Sequence, residues 1–148
     1  MDPVTIVSLA GTAAQLADFT AKSILGLRDL AIRYQNATRW LGAIQRECET
    51  LNTVLRQLHG WIEFTLQHAE DRDQRMGPLK LALDSLEPGV AGLCKEVEGI
   101  LSKSNENGTL RRRDKMSLAW NESTMKNILE EVRWQSHHLG LLLHTTKL

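Results

Sequence analysis

The chain has 148 residues, enough for one domain with a real core, and its 42% hydrophobic and 24% charged residues are ordinary for a globular protein. Eighteen Lys and Arg offset eighteen Asp and Glu, so no overall charge directs the chain to nucleic acid. Cys48 and Cys94 are too few for a disulfide scaffold. Each lies among apolar residues at helical spacing and reads as a buried thiol in a reducing compartment.

The first element starts at Pro3, where proline is pre-set for a first helical turn and Asp2 can cap the free N–H groups. The spacing predicts a helix through Leu27 and on to about Tyr34. No charge occurs from Pro3 to Ala17. Ile6, Leu9, Ala13, Leu16, Thr20, Ile24 and Leu27 form one face, but Val4, Val7, Ala10 and Phe19 spill around the others. A surface helix normally has a polar back; here it is only Ser8, Thr12, Gln15, Asp18 and Lys22. A secretory signal is not expected, because the side-chain charge ahead of the apolar run is Asp2, not a basic residue. A constitutive membrane span fits poorly: it needs about 20 apolar residues, and extension takes in Asp18 and Lys22. Conditional insertion and simple burial both fit.

A turn is expected at Gln35, Asn36 and Ala37, with Asn36 or Thr38 as the next cap. The second helix has a seam alternating three and four apart: Leu41, Ile44, Cys48, Leu51, Leu55, Leu58 and Ile62. Arg39, Arg46, Glu49, Asn52, Arg56 and Glu63 are placed on its outer face. Ala69 to Arg75 reads as a charged loop. Gly77-Pro78 is expected to open a third helix, and Pro88-Gly89 to kink or break it. Its stripe resumes at Val90, Leu93, Val97 and Ile100 or Leu101. Ser104 to Thr109 reads as a loop, followed by the basic cluster Leu110 to Lys115 and a short helix around Met116, Leu118 and Trp120. Asn121, Ser123 or Thr124 caps the last long helix, whose stripe is Met125, Ile128 or Leu129, Val132, Gln135, Leu139 and Leu142 or Leu143. No alternating run suggests a strand. The expected architecture is an all-α, up-and-down four-helix bundle with an additional short helix before the last long helix, one domain spanning 1–148.

The chemistry-bearing residues assemble no catalytic pattern. His59, His68, His137, His138 and His144 lie near helix ends, where histidine is favourable for dipole reasons alone, and none sits in an H-E-x-x-H arrangement. Gly11 and Gly26 lie inside helical pattern, so there is no phosphate-cradling loop. No enzyme, metal or cofactor is expected. Trp40, Trp61, Trp120 and Trp134 either cap the core or sit at a membrane interface. Arg111, Arg112, Arg113 and Lys115 either form a solvated loop or meet anionic lipid, at roughly 1 kcal/mol per residue near the surface.

The opening MDPVTIVSLAGTAAQLADFTAKSILGL, the middle LNTVLRQL and the late LAWNESTMKNILEEVRWQSHHLGLLL resemble the fungal HeLo-like N-terminal domain over nearly the whole chain. Through it they resemble the four-helix domain of the mixed-lineage kinase domain-like protein. The resemblance implies a cytoplasmic cell-death effector of a fungal immune or incompatibility system that oligomerises with itself, moves to the plasma membrane and permeabilises it. The inserting element would be Pro3–Leu27, through Val4, Ile6, Val7, Leu9, Ala10, Gly11, Ala13, Leu16 and Phe19. Arg111, Arg112, Arg113 and Lys115 would contact anionic headgroups. Such executioners usually carry, or receive a signal from, an amyloid-forming motif; nothing after Leu143 resembles one, so the expected trigger lies elsewhere, in an upstream receptor or a longer protein. The alternative is an N-terminal oligomerisation or signalling module of an NLR- or ankyrin-type receptor without membrane activity. A third, a small-ligand-binding bundle, would need an elongated internal cavity.

Overall fold

The computed structural model describes residues 3–34, 37–64, 66–68, 70, 72–106 and 120–147. Among them are four α-helices, α1 (Pro3–Arg33), α2 (Thr38–Phe64), α3 (Arg72–Glu106) and α4 (Glu122–Lys147), with a 3-10 turn at Leu66–His68 between α2 and α3. No strand occurs among the described residues, and the fold is an all-α helical bundle. The short helix expected around Met116 and Leu118 falls on residues 107–119, outside the described residues. Trp120, at the edge of that stretch, is described as buried and non-helical.

α2 supplies the continuous wall of the core. Every member of its heptad-like seam, from Leu41 to Ile62, is buried. Between α1 and α2 the chain reverses tightly: Tyr34 N–H donates to Leu30 O at 2.8 Å and Ala37 N–H to Tyr34 O at 3.0 Å. Thr38 Oγ1 donates back to Ala31 O at 3.3 Å. At the other end of the chain, Asn121 is the cap of α4: its Oδ1 accepts from Thr124 N–H at 2.8 Å.

The structure corrects three boundaries. α3 starts at Arg72, not Gly77, because the buried side chain of Met76 anchors the turn ahead of Pro78 in the core. It does not break at Pro88. The buried stripe Met76, Leu79, Leu83, Leu86, Val90, Cys94 and Val97 keeps its three-four spacing straight through that position. Pro78 and Pro88 both lie on the exposed side, as do Gln74 and Asp84 one turn earlier. The carbonyls deprived of an amide partner therefore face water, which lowers the cost of an interior proline. At its far end α3 runs on to Glu106, so the first residues of the expected Ser104–Thr109 loop are helical.

Helix directions alternate, but neighbours around the bundle are not in chain order. α1 packs on α2 and α3, α2 packs on α1 and α4, and α3 meets α4 along a thin seam. α1 and α2 are antiparallel, with Ala31 beside Thr38 and Ala17 beside Asn52. α1 and α3 run parallel: Ser23 is at Cys94 and Gly26 at Val97. α2 and α4 are also parallel, joined by Arg133 Nε to Glu47 Oε1 at 3.1 Å. Gly26 and Gly89 mark the two close approaches. A Cβ on Gly26 would collide with Val97 Cγ1 and come within 3.4 Å of Leu101; one on Gly89 would lie 2.6 Å from Gln135 Nε2.

Gly26→Ala therefore lowers the melting temperature, since Val97 is β-branched and buried and cannot swing aside; overpacking of this kind costs about 1–3 kcal/mol. Gly99→Ala, in open space on α3, raises stability by about 1 kcal/mol, and Pro88→Ala by up to about 3 kcal/mol. Thermal unfolding of the three variants checks the signs.

Candidate functional site

The sequence directs attention to α1, and the structure divides its apolar residues into two faces. Ile6, Leu9, Ala10, Ala13 and Leu16 are buried in the bundle, and Phe19 is half-buried against the same core. Val7 and Gly11 point outward, together with Ala14. The side chain of Val4 lies outside the described residues, as do Arg111, Arg112, Arg113 and Lys115. The bundle thus holds one face of the expected inserting set and leaves the other in solvent. No helix among the described residues is long and apolar enough to cross a membrane.

The inner face is tied down by a polar clamp. Thr20 is 2% exposed and sits in the apolar stripe, so its hydroxyl must find partners inside the protein. It donates to Ala17 O at 2.8 Å. Asn52 of α2 then donates through Nδ2 to both Ala17 O at 2.7 Å and Thr20 Oγ1 at 2.8 Å. Arg56 Nε completes the set by donating to Asn52 Oδ1 at 2.9 Å. Asn52 and Arg56, expected on the outer face of α2, are joined in this network, and Asn52 bonds α1. The available signal was Thr20, a polar residue at an inner position that required a partner.

Next to the clamp a cavity of about 70 Å³ is lined from all four helices, by Ser23, Cys48, Val90, Glu131, Gln135 and their neighbours. Drug-sized ligands occupy about 300–1,000 Å³, so this space suits a few waters among the polar groups and not the elongated cavity of a ligand-binding bundle. The two thiols are buried as expected. Burial first, then the carboxylates of Glu47 and Glu49, push the Cys48 thiol up to about 12. Burial and Glu98, which the Cys94 thiol approaches at 3.7 Å, raise Cys94 as well, against smaller opposing effects from Ser23 and Lys22. Both thiols are therefore protonated near neutrality and poor nucleophiles.

Among the described residues no group of three or more His, Cys, Asp or Glu side chains could hold a metal. His59 pairs with Glu63 one turn along α2 at 3.3 Å. Of the tryptophans, Trp61 and Trp120 are buried and Trp40 packs on the core. Trp134 alone is strongly exposed, stacked on His138 with ring centroids 5.1 Å apart. Arg75 Cζ lies 6.0 Å from the Trp61 ring centroid, within reach of a cation–π contact.

The Cys48 shift has a definite sign. Below pH 9.0 the thiol is protonated whether the chain is folded or not; above it the unfolded chain gives up the proton that the folded chain keeps. Stability contributed by Cys48 is thus full below pH 9.0 and lost as pH rises toward about 12, by about 1.4 kcal/mol per pH unit. Urea unfolding across that range shows a steeper decline for the native chain than for Cys48→Ala, whose slope lacks this contribution.

No protein-family model, curated protein or solved structure matches the chain.

Proposed function

We propose that the chain is a membrane-targeting, permeabilising execution domain of the HeLo-like kind, in a fungal cell-death or incompatibility system. In its cytoplasmic resting state α1 packs in the bundle. Self-association, driven by an upstream receptor or an amyloid signal, releases α1 into the anionic plasma membrane, and Arg111, Arg112, Arg113 and Lys115 engage the headgroups.

The observation that carries this reading is the uncharged back of the first half of α1. From Pro3 to Ala17 no side chain is charged, and Val7, 68% exposed, stands beside exposed Gly11 and Ala14 where a bundle helix would place Lys and Glu. Such a helix is suited to a second, apolar environment. The energetics allow the exchange. Withdrawing Ile6, Leu9 and Leu16 from the core forfeits roughly 1.5–3 kcal/mol each in water, but lipid returns most of it.

A second reading is favoured by the clamp. Ala13 and Leu16 are wholly buried and Asn52 holds the backbone and a hydroxyl of α1, which makes the helix an integral wall of the core. This suits an interaction module of a larger receptor with no membrane activity.

The two readings separate in dye release from liposomes with and without anionic lipid. Leu9 and Ala13 are unsuitable for charge insertion because they are core residues; exposed Ser8 leaves the fold intact. On the membrane reading Ser8→Asp reduces leakage at least about tenfold, since a charge in the bilayer costs roughly 2.5–3.5 kcal/mol. Asn52→Ala loosens α1 by about 1–3 kcal/mol and lowers the protein concentration needed for leakage. Absence of leakage after forced oligomerisation, or leakage indifferent to Ser8→Asp, overturns the membrane reading in favour of the module.

A further inference from the structure

The exposed face of α1 is a straight stripe with an internal order. At 3.6 residues per turn, Val7, Gly11, Ala14, Asp18, Lys22, Leu25, Asp29 and Ile32 recur every three or four positions and fall on one line along the helix. Val7, Leu25 and Ile32 are 68%, 61% and 68% exposed, three of the seven large hydrophobic side chains left exposed among the described residues. At the middle of the line Asp18 and Lys22 pair with each other at 3.3 Å, both more than half exposed.

We infer that this face binds the same face of a second copy of the chain, with the two α1 helices antiparallel across a two-fold axis near residue 20. The stripe is complementary to itself in that one orientation. Under the two-fold, Asp18 of each copy meets Lys22 of the other, so the exposed ion pair becomes a closed ring of alternating charge. Ala14 meets Leu25, a small residue receiving a large one. Val7 meets Ile32, and Gly11 meets Asp29. With a rise of about 1.5 Å per residue, Val7 stands roughly 19.5 Å from the axis and Ile32 roughly 18 Å, Ala14 roughly 9 Å and Leu25 roughly 7.5 Å; partners are level within about 1.5 Å along the whole length. In a parallel pairing Asp18 would face Asp18 and Lys22 would face Lys22. An isologous antiparallel contact is the kind that closes on a dimer and leaves no open end.

This inference does not rest on the membrane reading, because it concerns the bundle in water and uses the face opposite the core. The test is sedimentation of the full chain without lipid. The native chain is expected to dimerise. Asp18→Lys and Lys22→Asp each place like charges across the axis and weaken the dimer by at least about tenfold. Within one helix either change forfeits only a weak surface pair, and unchanged helicity in circular dichroism confirms the fold. Mixed in equal amounts, the two variants restore opposite charges across the axis and regain the dimer as a heterodimer. A native chain that stays monomeric at all concentrations overturns the inference. So does a dimer that survives either single change, or a mixture that fails to associate.

Discussion

The register of α1 on α2 depends on one buried polar contact. The Asn52 amide uses both hydrogens of its nitrogen, one on the Ala17 carbonyl and one on the Thr20 hydroxyl. The Thr20 hydroxyl keeps its bond to Ala17 O inside α1, but a slip would part Asn52 from both of its acceptors, at about 0.5–1.5 kcal/mol for each bond lost. A slip of a single residue turns α1 by about 100°. That would swing Val7 and Gly11 toward the core and lift Leu9 and Ala13 out of it. It would also take Gly26 away from Val97, where the missing side chain is what lets α3 approach. The placement of α3 is thereby linked to a contact it does not make.

The bundle is closed unevenly. α1 and α2 form a long antiparallel hairpin, and α3 and α4 are added to its two sides in parallel with their neighbours. This order sends the connection from α2 to α3 across the end of the bundle, where Leu66 of the 3-10 turn is fully buried and covers the core. It also leaves α3 and α4 to meet each other across the side opposite the hairpin, where Gly89 faces Gln135 and Glu131. Glycine there removes an apolar side chain and brings polar groups to the cavity edge. The small cavity lies there, between the polar groups of Ser23, Glu131 and Gln135 and the apolar side chains of Leu51, Val90 and Ile128.

What was legible in the sequence follows from how many neighbours each stretch has. The α2 seam was readable residue by residue, because apolar positions three and four apart alternate with charges and leave one choice of inner face. The expectation of a kink or break at Pro88 rests on a lost hydrogen bond, and α3 runs on without a break because of where that bond lay. On the solvent side water replaces it, and the unbroken stripe from Leu83 to Val97 holds the helix together. Asn52 was misplaced for the opposite reason. It adjoins the seam on the α1 side, and polarity alone does not distinguish a solvated amide from one spanning two helices. In α1 the spacing alone picks out the face from Ile6 to Leu27 that the bundle buries; what the sequence left open was why the back of that face carries no charge from Pro3 to Ala17.

That open question in α1 has an energetic side. Moving Ile6, Leu9 and Leu16 from core to lipid exchanges one apolar surrounding for another, so the obstacle to release lies in what α1 leaves behind. The vacated walls of α2 and α3 would face water, and the Asn52 amide would lose both of its acceptors on α1. On the membrane reading, a trigger would therefore have to act on the bundle, by covering those walls, more than on the helix. The outer stripe works in the other sense. Pairing Val7, Leu25 and Ile32 between two copies removes them from water while the inner face remains in the core. Two-fold pairing through α1 thus stabilises the closed bundle, and an assembly that exposes the inner face must be built through other surfaces.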